Sequence, residues 1–283
     1  MDERDFELLI TLNETQNITH AADKLYISQS SLSKRIRAIE KELGICLLLR
    51  SKQGVHFTPE GEEVLIRSKE AAHQLKLMRD NLDAKKGYVC GTLKAGVSIN
   101  YALYSLPDVL ASYRKKYPHV NTHITTDQSR KLYLCILDGT IDIAILRGEY
   151  DWNSNKLLLS REKICAIYSE KDKDRSLHDI PFIGRKTDME FERELTQWLH
   201  ENGFQTNNYG IYVDNITTCV EMVKRGLGWA IVPEICLKDF EGCIKPLYFA
   251  NGEPLVRSTY VLYSENASLL PQVKAFIDLV KNS

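Results

Sequence analysis

A chain of 283 residues with 43% hydrophobic and 27% charged side chains is long enough for two domains and ordinary for a globular protein. Its net charge of −1 and pI near 6.7 exclude binding to nucleic acid through bulk positive charge, so any such surface must be a local patch. The acidic start "MDERDFELLI" does not resemble a secretory signal, and no apolar run approaches the roughly 18 residues of a membrane span. The expected localisation is cytoplasmic, with no membrane partner. The seven cysteines are odd in number, scattered and free of any CxxC pair, which favours free thiols in a reducing compartment over a disulfide framework or a zinc site.

Phe6, Leu8, Leu9, Ile10 and Leu12 cluster as on a buried first helix. Thr19 is expected to cap a short second helix, in which Ala21, Ala22 and Leu25 share one face and allow close approach of a neighbour. Ser28 is the expected cap of a third helix running from Gln29 to about Leu43. Leu32, Ile36, Ile39 and Leu43 form its inward stripe, and Gly44 ends it.

The outward face of this third helix begins with Gln29, Ser30, Ser31 and Ser33 and continues with Lys34, Arg35 and Arg37. Amide and hydroxyl groups suit base edges in a major groove, and cations suit phosphates. Residues 34–52 carry six basic and two acidic side chains, whereas residues 1–58 carry eight of each; the positive potential is confined to one side. An ordinary solvated helix has the same charges, so the neighbouring segment matters. "LLLRSKQGVHFTPEG" (47–61) alternates around a glycine-containing turn, as a small β-hairpin wing does. Arg50, Lys52 and His56 are placed to touch backbone or minor groove. Thr58-Pro59-Glu60 then reads as a helix start.

Ala21-Ala22, Leu25, "SQSSLSKRI" (28–36), Glu40, Leu43-Gly44, Leu47, Arg50, Val55, Thr58 and Gly61 together resemble the LysR-type transcriptional regulators. Three positions depart from that pattern: Leu48 replaces a common phenylalanine, Gln53 a wing arginine and Ser30 a frequent proline. The resemblance implies a winged helix-turn-helix in residues 1–58, with DNA-binding residues Gln29, Ser30, Ser31, Ser33, Lys34, Arg37, Arg50 and Lys52. The partner it implies is double-stranded DNA, as a near-palindromic operator.

From Thr58 to about Lys86 the pattern is one long helix, with Val64, Ser68, Ala71, Leu75, Met78 and Leu82 as an imperfect heptad stripe. It serves either as an amphipathic helix packed on its own domain or as a linker and dimerisation helix (59–87). The resemblance implies the latter, in a homodimer or homotetramer.

Beyond Gly91, strands and helices alternate, which predicts an α/β fold with mainly parallel sheets. "LPDVLASYRKKYPHV", "LDGTIDIAI" and "VKRGLGWAIVP" extend the resemblance over the chain. The implied fold class is α + α/β: a winged helix-turn-helix, a linker helix and a two-lobed, periplasmic-binding-protein-like effector domain (91–283). Its first lobe is expected at 91–161 plus 265–283, and its second at 162–264. Ligands of open α/β sheets sit beyond C-terminal strand ends. That rule selects Ser98, Ile99, Asn100, Thr126, Gln128, Arg147, Thr217 and Thr218 as candidate contacts for a small-molecule effector, possibly an anion. Ser98 and Thr217 are equally good helix caps, and Arg147 an equally good structural ion-pair partner. Tyr101, Tyr104 and Trp229 fit either an aromatic effector or the core.

No P-loop, GxSxG, HExxH or paired metal-ligand motif occurs, so neither catalysis, metal nor cofactor is expected. A solute-binding or sensing module whose helical N-terminus only dimerises is the alternative reading.

Overall fold

The computed structural model describes residues 1–51, 54–84, 89–204 and 210–281; the side chains of 50, 51, 77 and 80–84 are outside that description. The chain divides into two compact units, Met1–Lys86 and Gly87–Ser283.

The first unit contains helices α1 (Glu3–Thr15), α2 (Ile18–Lys24) and α3 (Gln29–Leu43), strands β1 (Leu48–Ser51) and β2 (Gly54–Phe57), and helix α4 (Pro59–Ala84). Leu9, Leu12, Ala21, Leu32, Ile36, Ile39 and Leu47 fill its core. Asn17, not Thr19, caps α2, its Oδ1 accepting from the Thr19 and His20 amides at 2.9 and 3.1 Å. Starting the helix two residues earlier brings Ile18 into the core. Ser28 caps α3, and Gly44 closes it in the left-handed conformation. Leu43 departs from its expected inward position and is 39% exposed, in the last turn before that cap.

β1 and β2 pair antiparallel, with Leu48 opposite Phe57. Thr58 joins this hairpin to α4: its hydroxyl donates to the Cys46 carbonyl at 2.6 Å and accepts from the Gly61 amide at 2.9 Å. A Cβ on Gly61 would lie 2.2 Å from the Leu47 carbonyl oxygen, so only glycine allows this close approach. Along α4, Leu65 and Ser68 are buried and Val64 packs on the core, whereas Met78 is 52% exposed. The first half of the stripe therefore packs within its own unit. Leu82 lies outside the described side chains.

The second unit starts with β3 (Gly91–Ser98), α5 (Ile99–Tyr104), α6 (Leu106–Lys116), β4 (Val120–Asp127), α7 (Ser129–Leu137) and β5 (Ile143–Arg147). The long strand β6 (Asn155–Tyr168) follows, then β7 (Ile183–Arg185), α8 (Met189–Glu201), β8 (Ile211–Val213), α9 (Ile216–Lys224), β9 (Ala230–Pro233) and β10 (Cys243–Pro246). It ends with β11 (Val256–Tyr263), α10 (Glu265–Ser268) and α11 (Pro271–Val280).

β3 pairs parallel with β4 and β5, and β7 with β8. The expectation of mainly parallel sheets is corrected by β11, which runs antiparallel to both β5 and β6, and by β9 and β10, antiparallel to β6. β6 carries the chain from one lobe to the other: its first part pairs with β11, and its last residues pair with β9 and β10. The chain returns at β11. That strand was expected in the second lobe, but Thr259–Tyr263 pair with β5 of the first. Each lobe has its own core, around Leu132, Ile141, Ala144, Leu146 and Leu262 in the first. In the second, Cys219, Val223 and Val232 centre one cluster and Trp229, Trp198 and Ile231 another.

Candidate nucleic-acid interface and ligand cleft

Burial of Leu32, Ile36 and Ile39 fixes which side of α3 faces out. Gln29, Ser30, Ser31, Lys34 and Arg37 are all exposed, and among the described residues neither Lys34 nor Arg37 takes part in an ion pair. The Ser28 hydroxyl lies 3.0 Å from that of Ser30 and 2.8 Å from that of Ser31, so the helix begins with three hydroxyls gathered around the Ser28 cap.

Two sequence expectations fail here. Ser33 is buried, and its hydroxyl accepts from Gln29 Nε2 at 3.2 Å. It precedes Ile36 by three residues, which at 100° per residue puts it on the flank of the inward stripe. Arg35, counted with the basic patch, is instead a clamp within the unit. Its Nε and Nη2 donate to the two carboxylate oxygens of buried Asp5 at 2.5 and 2.6 Å. Lys52 and Gln53 lie outside the described residues, as does the Arg50 side chain.

The second unit has a cleft of about 1210 Å³ between its lobes. Of the expected contacts, Ser98, Ile99, Asn100, Thr126, Gln128, Arg147 and Thr217 line it; Thr218 does not, and its amide is bonded to the Asn215 side chain. Ser98 is buried at the head of α5, yet makes no side-chain cap, and its hydroxyl has no hydrogen-bond partner within the protein. Asn215 is the cap of α9, with the Thr217 amide 2.8 Å from its Oδ1. Trp229 is wholly buried, which settles its role as core; Tyr101 is nearly so.

The sequence reading missed most of the charged wall. Arg147, at the end of β5, donates to Glu162 on β6; Arg147 is buried, and the Glu162 side chain is 10% exposed. The other Glu162 oxygen accepts from the Ile235 amide at 2.7 Å, so one carboxylate ties a first-lobe strand to a second-lobe turn. Burial pushes the Arg147 guanidinium down and the Glu162 carboxyl up from their ordinary values, and their mutual attraction opposes both shifts. Arg257 on β11 donates to Asp188 at 2.5 Å and to the Arg147 carbonyl at 3.3 Å, with its guanidinium 4.8 Å from the Phe191 ring centre. Gly148 makes room for it: a Cβ there would lie 2.8 Å from Arg257 Nη2, and φ is +97°. Arg185 and Lys186 line the second-lobe side, and Tyr133 and Tyr150, rings 4.9 Å apart, the first. Only Arg147, directly after an apolar strand, was legible; its partners lie far along the chain.

Among the described residues no cluster of histidine, cysteine or carboxylate side chains suits a metal ion. Burial raises the Cys219 thiol to about 11 and the Cys236 thiol to about 12, so both are protonated and poor nucleophiles at neutral pH.

Both units match known protein families. Residues 4–62 match the bacterial regulatory helix-turn-helix protein, lysR family, and residues 86–283 match the LysR substrate binding domain. The uncharacterized HTH-type transcriptional regulator YraN of Bacillus subtilis is 36% identical over 99% of this chain and 98% of its own. YkuM of the same organism is 32% identical over 100% and 97%. A full-length OxyR variant of Pseudomonas aeruginosa shares the fold, with a TM-score of 0.74 at 18% identity, over 99% of this chain and 95% of that one. Full-length CbnR, solved with its target DNA, superposes with a TM-score of 0.63 at 18% identity, over 100% and 99%. The chain belongs to the LysR family: it is a DNA-binding transcriptional regulator with an effector-binding domain.

Proposed function

We propose that α3 enters the major groove of a near-palindromic operator, with Gln29, Ser30 and Ser31 at base edges and Lys34 and Arg37 on phosphates. The observation that carries this reading is the exposed polar face of α3, with neither cation in an ion pair among the described residues. Ser33 is withdrawn from the set because it is buried. Arg50 and Lys52 of the wing remain in it on sequence alone. Two-fold symmetry of such operators matches a homodimer or homotetramer, with the part of α4 around the exposed Met78 contributing to the pairing. The protein acts in the cytoplasm, where chromosomal DNA is.

The interlobe cleft holds a small anionic effector, which is bound and released rather than converted. Regulation then follows from unequal effector affinity for two assembly states, a coupling typically worth about 1–3 kcal/mol.

The test is a fluorescence anisotropy titration against the DNA upstream of its own gene. Lys34→Ala should weaken binding to all sequences and flatten the slope of log affinity against log salt by about one unit. Absence of sequence-selective binding at moderate salt, with and without effector, refutes the reading.

A further inference from the structure

Five arginines line the cleft; Arg130 and Arg193 are exposed, and of the remaining three two have carboxylate partners: Arg147 with Glu162, and Arg257 with Asp188. Arg185 has none among the described residues. Its Nη1 donates to the neighbouring Lys186 carbonyl at 3.2 Å, and its Nε is buried with no hydrogen-bond partner within the protein. Burial holds the guanidinium below its ordinary value, as expected for a cation short of compensation. The nearby thiols of Cys219 and Cys236 are neutral, and the Asp188 carboxylate is engaged by Arg257. Lys186 adds a like charge beside it on the cleft wall.

Across the cleft, in the first lobe, the Ser98 hydroxyl and Arg147 Nε are, among the described residues, the other buried side-chain polar atoms of the lining with no hydrogen-bond partner within the protein; Arg147 is already paired with Glu162, which leaves the Ser98 hydroxyl. A planar guanidinium presents paired N–H donors to an oxyanion, and a serine hydroxyl donates one more. Removing a cation from water without a counter-charge is costly, and a bound anion relieves that cost.

We infer that Arg185 is the second lobe's anchor for an oxyanion head of the effector, a carboxylate or a phosphate, with the Ser98 hydroxyl as its hydrogen-bond donor from the first lobe. This deepens, and rests on, the reading of the cleft as the effector site. It makes Arg185 a specificity-determining residue: an uncharged ligand leaves its charge unmet, whereas an oxyanion satisfies one group from each lobe at once. It also implies that the empty protein is less stable for having Arg185.

The test is thermal unfolding of the full-length protein in sodium malonate and in sodium phosphate, against sodium chloride at equal ionic strength. The wild type should show a saturable rise in midpoint with malonate, with phosphate or with both, which names the head group. Arg185→Met, close in length and uncharged, should match or exceed the wild-type midpoint in chloride and lose the oxyanion-dependent rise. Arg185→Lys should keep a reduced rise, and Ser98→Ala should raise the half-saturating concentration several-fold. If Arg185→Met and Arg185→Lys both keep the full rise at unchanged half-saturation, the assignment to Arg185 is wrong while the cleft remains an anion site. If the wild type responds to neither oxyanion, the anionic-effector reading falls with it.

Discussion

The outer face of α3 and the walls of the cleft use the same kinds of side chain under opposite conditions. On α3, Lys34 and Arg37 are exposed and, among the described residues, unpaired. Their charges are already hydrated, so a polyanion gains chiefly by releasing its counterions, and the interaction fades as salt rises. In the cleft, Arg147 and Arg257 are buried and each is held by a carboxylate. Salt screens such pairs far less, and what they provide is a rigid, charged wall. The difference teaches where each kind of mutation should register. Charge removed from α3 should change affinity and leave folding alone, whereas charge removed from the cleft should first change folding.

The largest expected effect is therefore in the cleft. Glu162→Ala strands the buried Arg147 guanidinium and frees the Ile235 amide. Loss of one partner of a buried pair typically costs about 3–5 kcal/mol, and urea denaturation should show it as a lower midpoint. Lys34→Ala should stay within about 0.5 kcal/mol of wild type in the same assay, as exposed substitutions do, while losing DNA affinity. Comparable losses of stability in the two variants would erase the distinction.

A smaller effect tests whether the first unit also contains a buried charge of the second kind. Asp5 is wholly buried, and Arg35 donates to both of its carboxylate oxygens. Burial alone would raise this carboxyl; the hydrogen bonds from Arg35 and the backbone amide of Asp2 outweigh it and hold the group below its ordinary value. Asp5→Asn should cost about 2 kcal/mol, the range for hydrogen bonds to a charged group. Because the folded value is depressed, this stabilisation is complete above the unfolded carboxylate range near 4 and disappears as pH falls through the lower folded value. The stability difference between Asp5→Asn and wild type should accordingly narrow in acid, as measured by urea denaturation at stepped pH.

The same contrast explains how much could be read in advance. The third helix was legible because its signals are local: the Ser28 cap, the Leu32–Ile36–Ile39 stripe and the Gly44 terminator all lie within one element. Its errors are local as well. Ser33 lies on the flank of the stripe, and Asn17 and Thr19 are two capping residues in competition, with Ile18 deciding between them by entering the core. The cleft was legible only at strand ends. Ser98, Thr126 and Arg147 lie at strand ends, but Arg185 with Asp188, Arg257, and the Glu162 that holds Arg147 come together from three separate places in the chain. Such pairing is set by sheet topology, and the strand that determines it, β11, was not anticipated. Its run "VRSTYVLY" is rich in β-branched and aromatic residues, which is a strand signal in the sequence itself, and it alternates in burial in the structure.

The smallest predicted effect has the opposite sign. Tyr26, in the turn between α2 and α3, is 96% exposed and holds φ at +56°. A side chain in this left-handed region costs about 1–2 kcal/mol relative to the ordinary helix, whereas glycine adopts it freely. The turn is kept by the Tyr26 amide on the Asp23 carbonyl at 3.1 Å and the Ile27 amide on the Ala22 carbonyl at 3.0 Å, neither of which needs the ring. Tyr26→Gly should therefore gain about 0.5 kcal/mol, the strain relieved less the entropy that glycine adds to the unfolded chain, read as a higher urea midpoint. A loss instead would show that the exposed ring stabilises the turn. Against Arg185→Met, the variant separates two ways in which a binding protein holds an unfavourable feature at a working surface: strained backbone beside the exposed helix, and unmatched charge inside the cleft.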